Sequence, residues 1–257
     1  MNSTQSVAKA IEAWTHLLGA DRVTATPETL AQYGRTTQDT APQPSCILYP
    51  QSTPEVQSIV RTAVQYGVVL YPISRGKNWG YGDACAPTDG AAIVDLSRMN
   101  RMREVDPVLG YAIIEPGVSQ QQLYDYLTSR ELDLWLDCTG AGKDASLVGN
   151  TVDRGFGHTR YGDHFQSCCG MEVVLGDGTV VNTGFGHYPE SRSDRVYRYG
   201  VGPFLDGIFC QSNYGIVTQI GLWLMPRPEA FRFFYIKVTR PENLNKLIER
   251  LRPLRMG

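Results

Sequence analysis

One strand and the glycine-rich loop that follows it constrain the fold more than any other part of the chain. Residues 68–71 (VVLY) form an apolar run that predicts a buried strand, and residues 74–82 (SRGKNWGYG) carry three glycines and two cations. Glycine tolerates positive φ and lets backbone N–H groups approach a ligand closely. Successive inward-facing N–H groups form a nest that binds anions. The segment is therefore either a phosphate-binding loop or an ordinary glycine-rich turn.

The residues around this loop predict a strand–helix–strand unit. Ser52 and Pro54 are typical of a helix start, Gly67 is typical of a helix end, and apolar residues recur between them at helical spacing, at Val56, Ile59, Val60, Ala63 and Val64. Strands are predicted at residues 46–50, 68–73 and 91–96. Such a unit forms a small parallel sheet, with the glycine loop at its edge.

A different pattern begins near residue 101 and predicts antiparallel β-structure. Ser119 to Gln122 has the pattern of a capping box that opens a helix. Strands are predicted at residues 103–105, 111–115, 134–137, 171–175, 179–183, 208–210 and 216–225, with a hairpin turn at 176–178. The fold class is therefore α+β, with a small α/β lobe at about 1–100 and a larger antiparallel lobe at about 101–228.

The last thirty residues predict the beginning of a further domain. Residues 231–238 read as an apolar strand and residues 241–251 as an amphipathic helix. One strand and one helix cannot bury their apolar faces alone. We therefore expect residues 1–228 to form one domain and residues 229–257 to start a second, incomplete one, through which the chain pairs with a second polypeptide or with its own copy.

A second glycine-rich segment, residues 139–150, leaves two alternatives open. Its residues 140–145 match the dinucleotide pattern G-x-G-x-x-A, which keeps a nicotinamide-dependent dehydrogenase as an alternative. The antiparallel pattern that follows disfavours it. The segment also approaches a nucleotide-binding P-loop, but Asp144 stands where that pattern requires Ser or Thr.

Short motifs in a fixed order resemble one family of flavoproteins. They are residues 49–56 (YPQSTPEV), 72–82 (PISRGKNWGYG), 115–118 (EPGV), 135–137 (WLD), 149–155 (GNTVDRG), 161–164 (YGDH), 170–174 (GMEVV), 211–217 (QSNYGIV) and 223–226 (WLMP). Together they resemble the FAD-binding domain of the vanillyl-alcohol oxidase and para-cresol methylhydroxylase family. The resemblance implies two lobes of an FAD-binding domain with the cofactor between them.

The resemblance implies a set of FAD-binding residues in the matching motifs. They are Ser74, Arg75, Gly76, Lys77, Asn78, Trp79, Gly80, Tyr81, Gly140, Gly142, Ser146, Gly149, Asn150, Gly155, His158, Asp163, Gly215, Ile216 and Val217. Two glycine segments suit the two phosphates of FAD better than the single phosphate of FMN. We also expect Gly80 to adopt positive φ, so that Val at this position would weaken FAD binding.

Three residues are candidates for the chemistry. Tyr81 matches a tyrosine that helps to bind a phenolate oxygen in the related enzymes, with packing against the flavin ring as its alternative role. His158 is a candidate for stabilising the reduced flavin, with ordinary packing as its alternative. Asp144 is the acid nearest to the place where relatives carry a catalytic aspartate. Trp79 stands where more distant relatives attach the flavin through histidine, so we expect non-covalent FAD.

Composition excludes several classes of partner and suggests a compartment. The net charge is −2, from 24 basic and 26 acidic residues, so nucleic acid and anionic membrane surfaces are unlikely partners. His158, His164, Asp163 and the pair at 168–169 fit no common zinc spacing, so no metal site is predicted. Six scattered cysteines and an N-terminus without a secretory pattern favour the cytoplasm.

The sequence therefore predicts the FAD-binding portion of a flavin-dependent oxidoreductase. The expected substrate is a small aromatic or phenolic compound that gives a hydride to the flavin, before the electrons pass to oxygen or to a protein acceptor. The non-enzymatic alternative is a module that holds FAD but turns nothing over by itself.

Overall fold

The computed structural model describes residues 3–37, 39, 42–78, 80 and 82–256, with only the backbone described at 3, 4 and 255. Two compact units divide it, Met1–Arg227 and Pro228–Gly257. The helices are α1 (Ser3–Leu18), α2 (Pro27–Tyr33), α3 (Thr53–Tyr66), α4 (Gln120–Ser129), α5 (Leu147–Val152) and α6 (Leu244–Met256). The strands are β1 (Val23–Thr24), β2 (Cys46–Leu48), β3 (Leu70–Ile73), β4 (Ala92–Asp95), β5 (Met102–Asp106), β6 (Tyr111–Ile114), β7 (Leu134–Trp135), β8 (Cys168–Leu175), β9 (Val180–Asn182), β10 (Gly215–Trp223) and β11 (Met225–Pro226).

The first sheet has the strand order β1-β2-β4-β3, in which β4 pairs in parallel with both β2 and β3. This confirms the predicted parallel unit. Helix α3 crosses between β2 and β3 and ends at Gly67, which takes the left-handed conformation that glycine allows (φ +66°). The helix buries its apolar face against the sheet, apart from Val64, whose side chain is 66% exposed.

The second sheet is antiparallel, with the order β5-β6-β10-β8-β9. The predicted capping box is present at the start of α4, where the Ser119 and Gln122 side chains each bond to the other's backbone N–H. The strand predicted at 208–210 is wrong, because Asp206–Phe209 forms a 3₁₀ helix. Its Ile208 N–H donates to the Leu205 carbonyl, which closes a local turn instead of a sheet ladder.

The two sheets pack as parts of the same unit. The core beneath α3 includes Trp14 and Ile59, and it also takes in Val174 of β8 and Ile216 of β10. A second core fills the antiparallel lobe around Ile114, Leu123 and Ile220. Because β8 and β10 contribute to both cores, the carboxyl end of β3 is held beside the antiparallel sheet.

The described residues of the unit Pro228–Gly257 contain one α-helix and no strand. The strand predicted at 231–238 is wrong, because these residues are irregular in the structure. A strand requires a hydrogen-bonded neighbour, and a short apolar run does not supply one by itself. The predicted helix is confirmed in a shifted form, as the 3₁₀ turn Pro241–Asn243 followed by α6. In the described part of the chain, no helix has both the length and the apolar content to cross a lipid bilayer.

Candidate functional site

A large cavity lies between the carboxyl end of β3 and the antiparallel lobe and encloses about 1180 Å³. Its lining combines apolar side chains, among them Val60, Val64 and Ile216, with polar side chains such as Asn78 and Asn150. This volume exceeds the roughly 300–1,000 Å³ that is usual for small-molecule pockets. The cavity is therefore large enough for an extended ligand with more than one ring system.

Most of the predicted cofactor residues line this cavity. They are Ser74, Arg75, Gly76, Lys77, Asn78, Gly80, Gly140, Ser146, Gly149, Asn150, Gly155, Gly215, Ile216 and Val217. Gly142, His158 and Asp163 are not among its lining residues. Trp79 and Tyr81 lie outside the described residues.

Arg75 connects the two glycine-rich segments. Its Nε donates to the Asp144 carbonyl over 2.7 Å, and its Nη1 donates to the Gly117 carbonyl over 3.0 Å. Positive φ occurs at Gly76 (+60°) and Gly82 (+98°), while the φ of Gly80 is outside this region. The positive φ expected at Gly80 is therefore wrong, and positive φ falls on Gly76 and Gly82 instead.

The second glycine-rich segment packs closely against the first. Ser146 caps α5, with its Oγ accepting from the Gly149 N–H over 2.9 Å and donating to the Pro116 carbonyl over 2.6 Å. A Cβ at Gly149 would lie 3.0 Å from the Ser74 Oγ, so glycine keeps α5 in contact with the first loop. Both segments thereby border the same cavity.

Two of the catalytic candidates are placed away from the cavity lining. His158 is exposed and makes an edge contact with the Phe156 ring, at 5.7 Å between ring centroids. The Asp144 residue is exposed, and it is its carbonyl that meets Arg75. The Asp144 assignment rested on distance along the sequence and the His158 assignment on the family resemblance, and neither fixes where a loop directs its side chains.

Asp153 is an acidic lining residue that the sequence analysis quoted within a motif but did not select. Its Oδ2 accepts from the Asn78 Nδ2 over 2.6 Å. Although Asp153 stays open to the cavity, surrounding protein atoms desolvate its carboxyl and raise its pKa above the ordinary value, against the opposing effect of Asn78. The signal available in the sequence was its place directly after the short helix that carries Asn150.

A buried polar group lies behind Asn150. The His164 Nε2 meets the Asp137 Oδ1 at 2.6 Å, the His164 Nδ1 meets the Asn150 Oδ1, and the Thr159 N–H donates to the Asp137 Oδ2 at 2.9 Å. Burial alone would raise the pKa of Asp137, but hydrogen bonds from Thr159 and His164 outweigh it and hold the pKa below its ordinary value. The described residues contain no group of three or more His, Cys, Asp or Glu placed to hold a metal ion.

The cavity fits FAD by several independent features. FAD carries two aromatic ring systems and a pyrophosphate, and the cavity offers apolar walls together with two glycine-rich backbone segments. A Cβ at Gly140 or Gly80 would meet no atom within 4 Å, so these backbones border open space that a ligand can enter. The exposed cation of Lys77 stands at the same wall and suits an anionic ligand.

Comparisons with known proteins give the same family. The FAD binding domain profile matches residues 44–184. The chain is 39% identical over 252 residues to the flavoprotein subunit of 4-cresol dehydrogenase (hydroxylating) of Pseudomonas putida, covering 97% of this chain and 48% of that protein. It is 40% identical over 254 residues to 1'-carboxy-chondrochloren decarboxylase of Chondromyces crocatus, covering 99% and 47%. The crystal structure of p-cresol methylhydroxylase with bound substrate superposes with a TM-score of 0.91 at 38% identity, covering 98% of this chain and 50% of that one.

The chain belongs to the FAD binding domain family, and its fold is that of the p-cresol methylhydroxylase type. This confirms the resemblance and the α+β fold class predicted from the motifs. The nicotinamide alternative lacks structural support, because β7 leads to the six-residue helix α5 and then to an antiparallel sheet. The chain spans about half the length of the relatives that it matches.

Proposed function

We propose that this chain holds FAD in the cavity between its two sheets, as the FAD-binding part of a flavin-dependent oxidoreductase. The observation that carries the proposal is the convergence of both glycine-rich segments on one cavity of about 1180 Å³. The backbones of residues 74–78 and 146–150 would hold the pyrophosphate, and Lys77 would balance its charge. Bound FAD supplies the hydride-accepting chemistry, while the protein orients the cofactor and excludes water.

The proposed substrate is a small aromatic or phenolic compound. Support comes from the names of the relatives, since 4-cresol dehydrogenase (hydroxylating) and p-cresol methylhydroxylase are both named for action on the same phenol. The relative at 40% identity is named a decarboxylase, so proteins that share this domain differ in the reaction they catalyse. Tyr81 remains the proposed phenol-binding residue. Asp153, which lines the cavity, takes the place of Asp144 and His158 as the proposed acid–base group near the cofactor.

Non-covalent attachment is the second part of the proposal. Trp79 occupies the loop position from which more distant relatives link histidine to the flavin, and an indole offers no comparable nucleophile. Both parts are tested on purified full-length chain saturated with FAD. Acid precipitation should leave the flavin in the supernatant, and phosphodiesterase should then raise its fluorescence, as expected for FAD. Flavin retained in the protein band of a denaturing gel would contradict non-covalent attachment. No fluorescence change with phosphodiesterase would contradict FAD as the flavin.

The same preparation separates the enzyme from a binding module without turnover. Anaerobic bleaching of the bound flavin by 4-cresol would support hydride transfer from a phenol, and persistent yellow colour with every phenol tried would favour the module.

We also propose that residues 229–257 begin a second domain that contacts another polypeptide or a second copy, because their apolar side chains Phe233, Phe234 and Tyr235 are exposed. Cytoplasmic location remains a prediction from the cysteines, which are all in the thiol form.

A further inference from the structure

Behind the cavity wall, Asp137 and His164 form a buried pair that none of the proposed cofactor contacts uses. Their side chains are 3% and 7% exposed. Asp137 follows β7, His164 follows the loop after α5, and the pair meets Asn150 of α5. Three segments distant in sequence therefore converge on one lining residue of the cavity.

The hydrogen-bond roles in this group follow from its atoms. One nitrogen of His164 faces a carboxylate oxygen and the other faces an amide oxygen. Both oxygens are acceptors, so both bonds form only when each ring nitrogen carries a proton and donates. The Asp137 carboxylate accepts from His164 through one oxygen and from the Thr159 N–H through the other. Buried polar atoms of this kind are stable only when each has a hydrogen-bond partner.

The consequence for Asn150 is a fixed amide orientation. Its Oδ1 is engaged by His164, while its Nδ2 has no hydrogen-bond partner among the described residues. Asn150 lines the cavity. Donation from the ring N–H to the amide oxygen also polarises the amide and strengthens its N–H groups as donors. The exposed polar atom that Asn150 offers to a ligand is therefore a donor.

We propose that Asp137 and His164 are positioning residues that lock Asn150 with its N–H groups available to an acceptor atom of the bound cofactor. The proposal rests on the proposed function, since it takes FAD as the ligand of the cavity. The oxygens of the pyrophosphate and of the isoalloxazine ring are all acceptors, so a locked donor favours them. An amide free to rotate would present its oxygen half of the time and would repel the same atoms.

Four variants of the full chain test this assignment, with the dissociation constant of FAD as the main readout. His164→Leu removes the donor and should weaken FAD binding roughly 10- to 100-fold, as for loss of one charge-assisted hydrogen bond. His164→Asn keeps an N–H group near the place of Nδ1 and should recover part of the affinity. His187→Leu, the same change at an exposed histidine outside the cavity lining, is the matched control and should bind FAD like the wild type.

Asn150→Asp decides the question if His164→Leu does not fold. This variant keeps an acceptor for His164, so the fold should persist, but it replaces the N–H groups with a second oxygen and should weaken FAD binding at least tenfold. Nitrogen-15 NMR of the histidine ring gives a readout without cofactor, and we expect the Nδ1 of His164 to carry a proton that is hydrogen-bonded to Asn150.

The outcomes separate the two proposals. A wild-type chain with no affinity for FAD overturns the proposed function. A wild type that binds FAD, together with an Asn150→Asp variant of equal affinity, overturns the positioning role alone. An Nδ1 of His164 without a proton in the folded chain also overturns it. Weak binding in His164→Leu without any recovery in His164→Asn shows a merely structural role.

Discussion

Replacing Arg75 and replacing Lys77 should have opposite consequences, although the sequence analysis placed both cations in the same phosphate-binding loop. Arg75 is partly buried and gives its guanidinium to the carbonyls of Asp144 and Gly117. Lys77 is exposed at the cavity wall. We therefore expect Arg75→Met to affect the stability of the fold and Lys77→Met to affect the binding of an anionic ligand.

The magnitude for Arg75→Met follows from its two bonds. A hydrogen bond from a charged donor contributes about 1.5–3 kcal/mol when buried, and the bond to Asp144 is exposed, so a total near 2 kcal/mol is expected. For a domain of this size, that corresponds to a fall in Tm of about 4–8 °C. Lys77→Met should leave Tm within about 1–2 °C, since a single exposed charge contributes little to folding.

The assay pairs thermal unfolding without cofactor with FAD titration at low and high salt. Lys77→Met should weaken FAD binding about 3- to 10-fold at low salt, and the difference should shrink at 0.5 M salt because exposed charges are screened there. Arg75→Met with an unchanged Tm but a large, salt-dependent loss of FAD affinity would refute the assignment. Such a result would return Arg75 to the role of a direct phosphate ligand.

Three further outcomes are expected. Gly157→Ala should lower the free energy of unfolding by about 3 kcal/mol or more, because the new Cβ would lie 1.4 Å from the Asp137 Oδ1. Gly140→Ala is the control, because a Cβ there meets no atom within 4 Å, and it should change the free energy of unfolding by under about 0.5 kcal/mol. Denaturant titration measures both values. Burial raises the pKa of Asp206, so the folded protein binds the proton of this carboxyl more tightly than the unfolded chain does. The stability of the wild type relative to Asp206→Asn should therefore rise as pH falls from 7 toward 4. A stability difference that does not change with pH contradicts this. Deleting residues 228–257 should reduce self-association in light scattering and preserve FAD affinity, since every proposed contact precedes them.

Local sequence signals correctly predicted the helix ends and the hairpin, because the hydrogen bonds of these elements join residues that are close in sequence. The glycine at position 67, the capping box at Ser119 and the turn before Thr179 each fix their own neighbourhood, and the structure contains the helix ends and the hairpin that they indicate. The strand predicted at 231–238 failed for the complementary reason, because an apolar run alone does not create a pairing partner. Residues 208–210 failed because their N–H groups are used in a local 3₁₀ turn.

The site was predicted as a set of segments but not as a set of roles. The structure brings the loops that carry these motifs to one cavity, since each follows a strand or opens a helix in the same part of the fold. They could not separate His158 from His164, because the contact of His164 with Asp137 joins residues 27 positions apart and exists only after the intervening loop has folded.

The glycines of that loop explain why it folds in this way. A Cβ at Gly155 would lie 2.1 Å from the Asn150 Nδ2, one at Gly157 would meet the Asp137 Oδ1, and one at Gly162 would lie 2.6 Å from the Gly157 carbonyl. Each glycine therefore makes room for a protein group of the buried pair or its support. The sequence analysis assigned Gly155 to close approach of the cofactor, and it does line the cavity. The space that a side chain at Gly155 would fill is occupied by the Asn150 amide. A substitution of Gly155 should therefore displace the Asn150 amide before it obstructs the ligand.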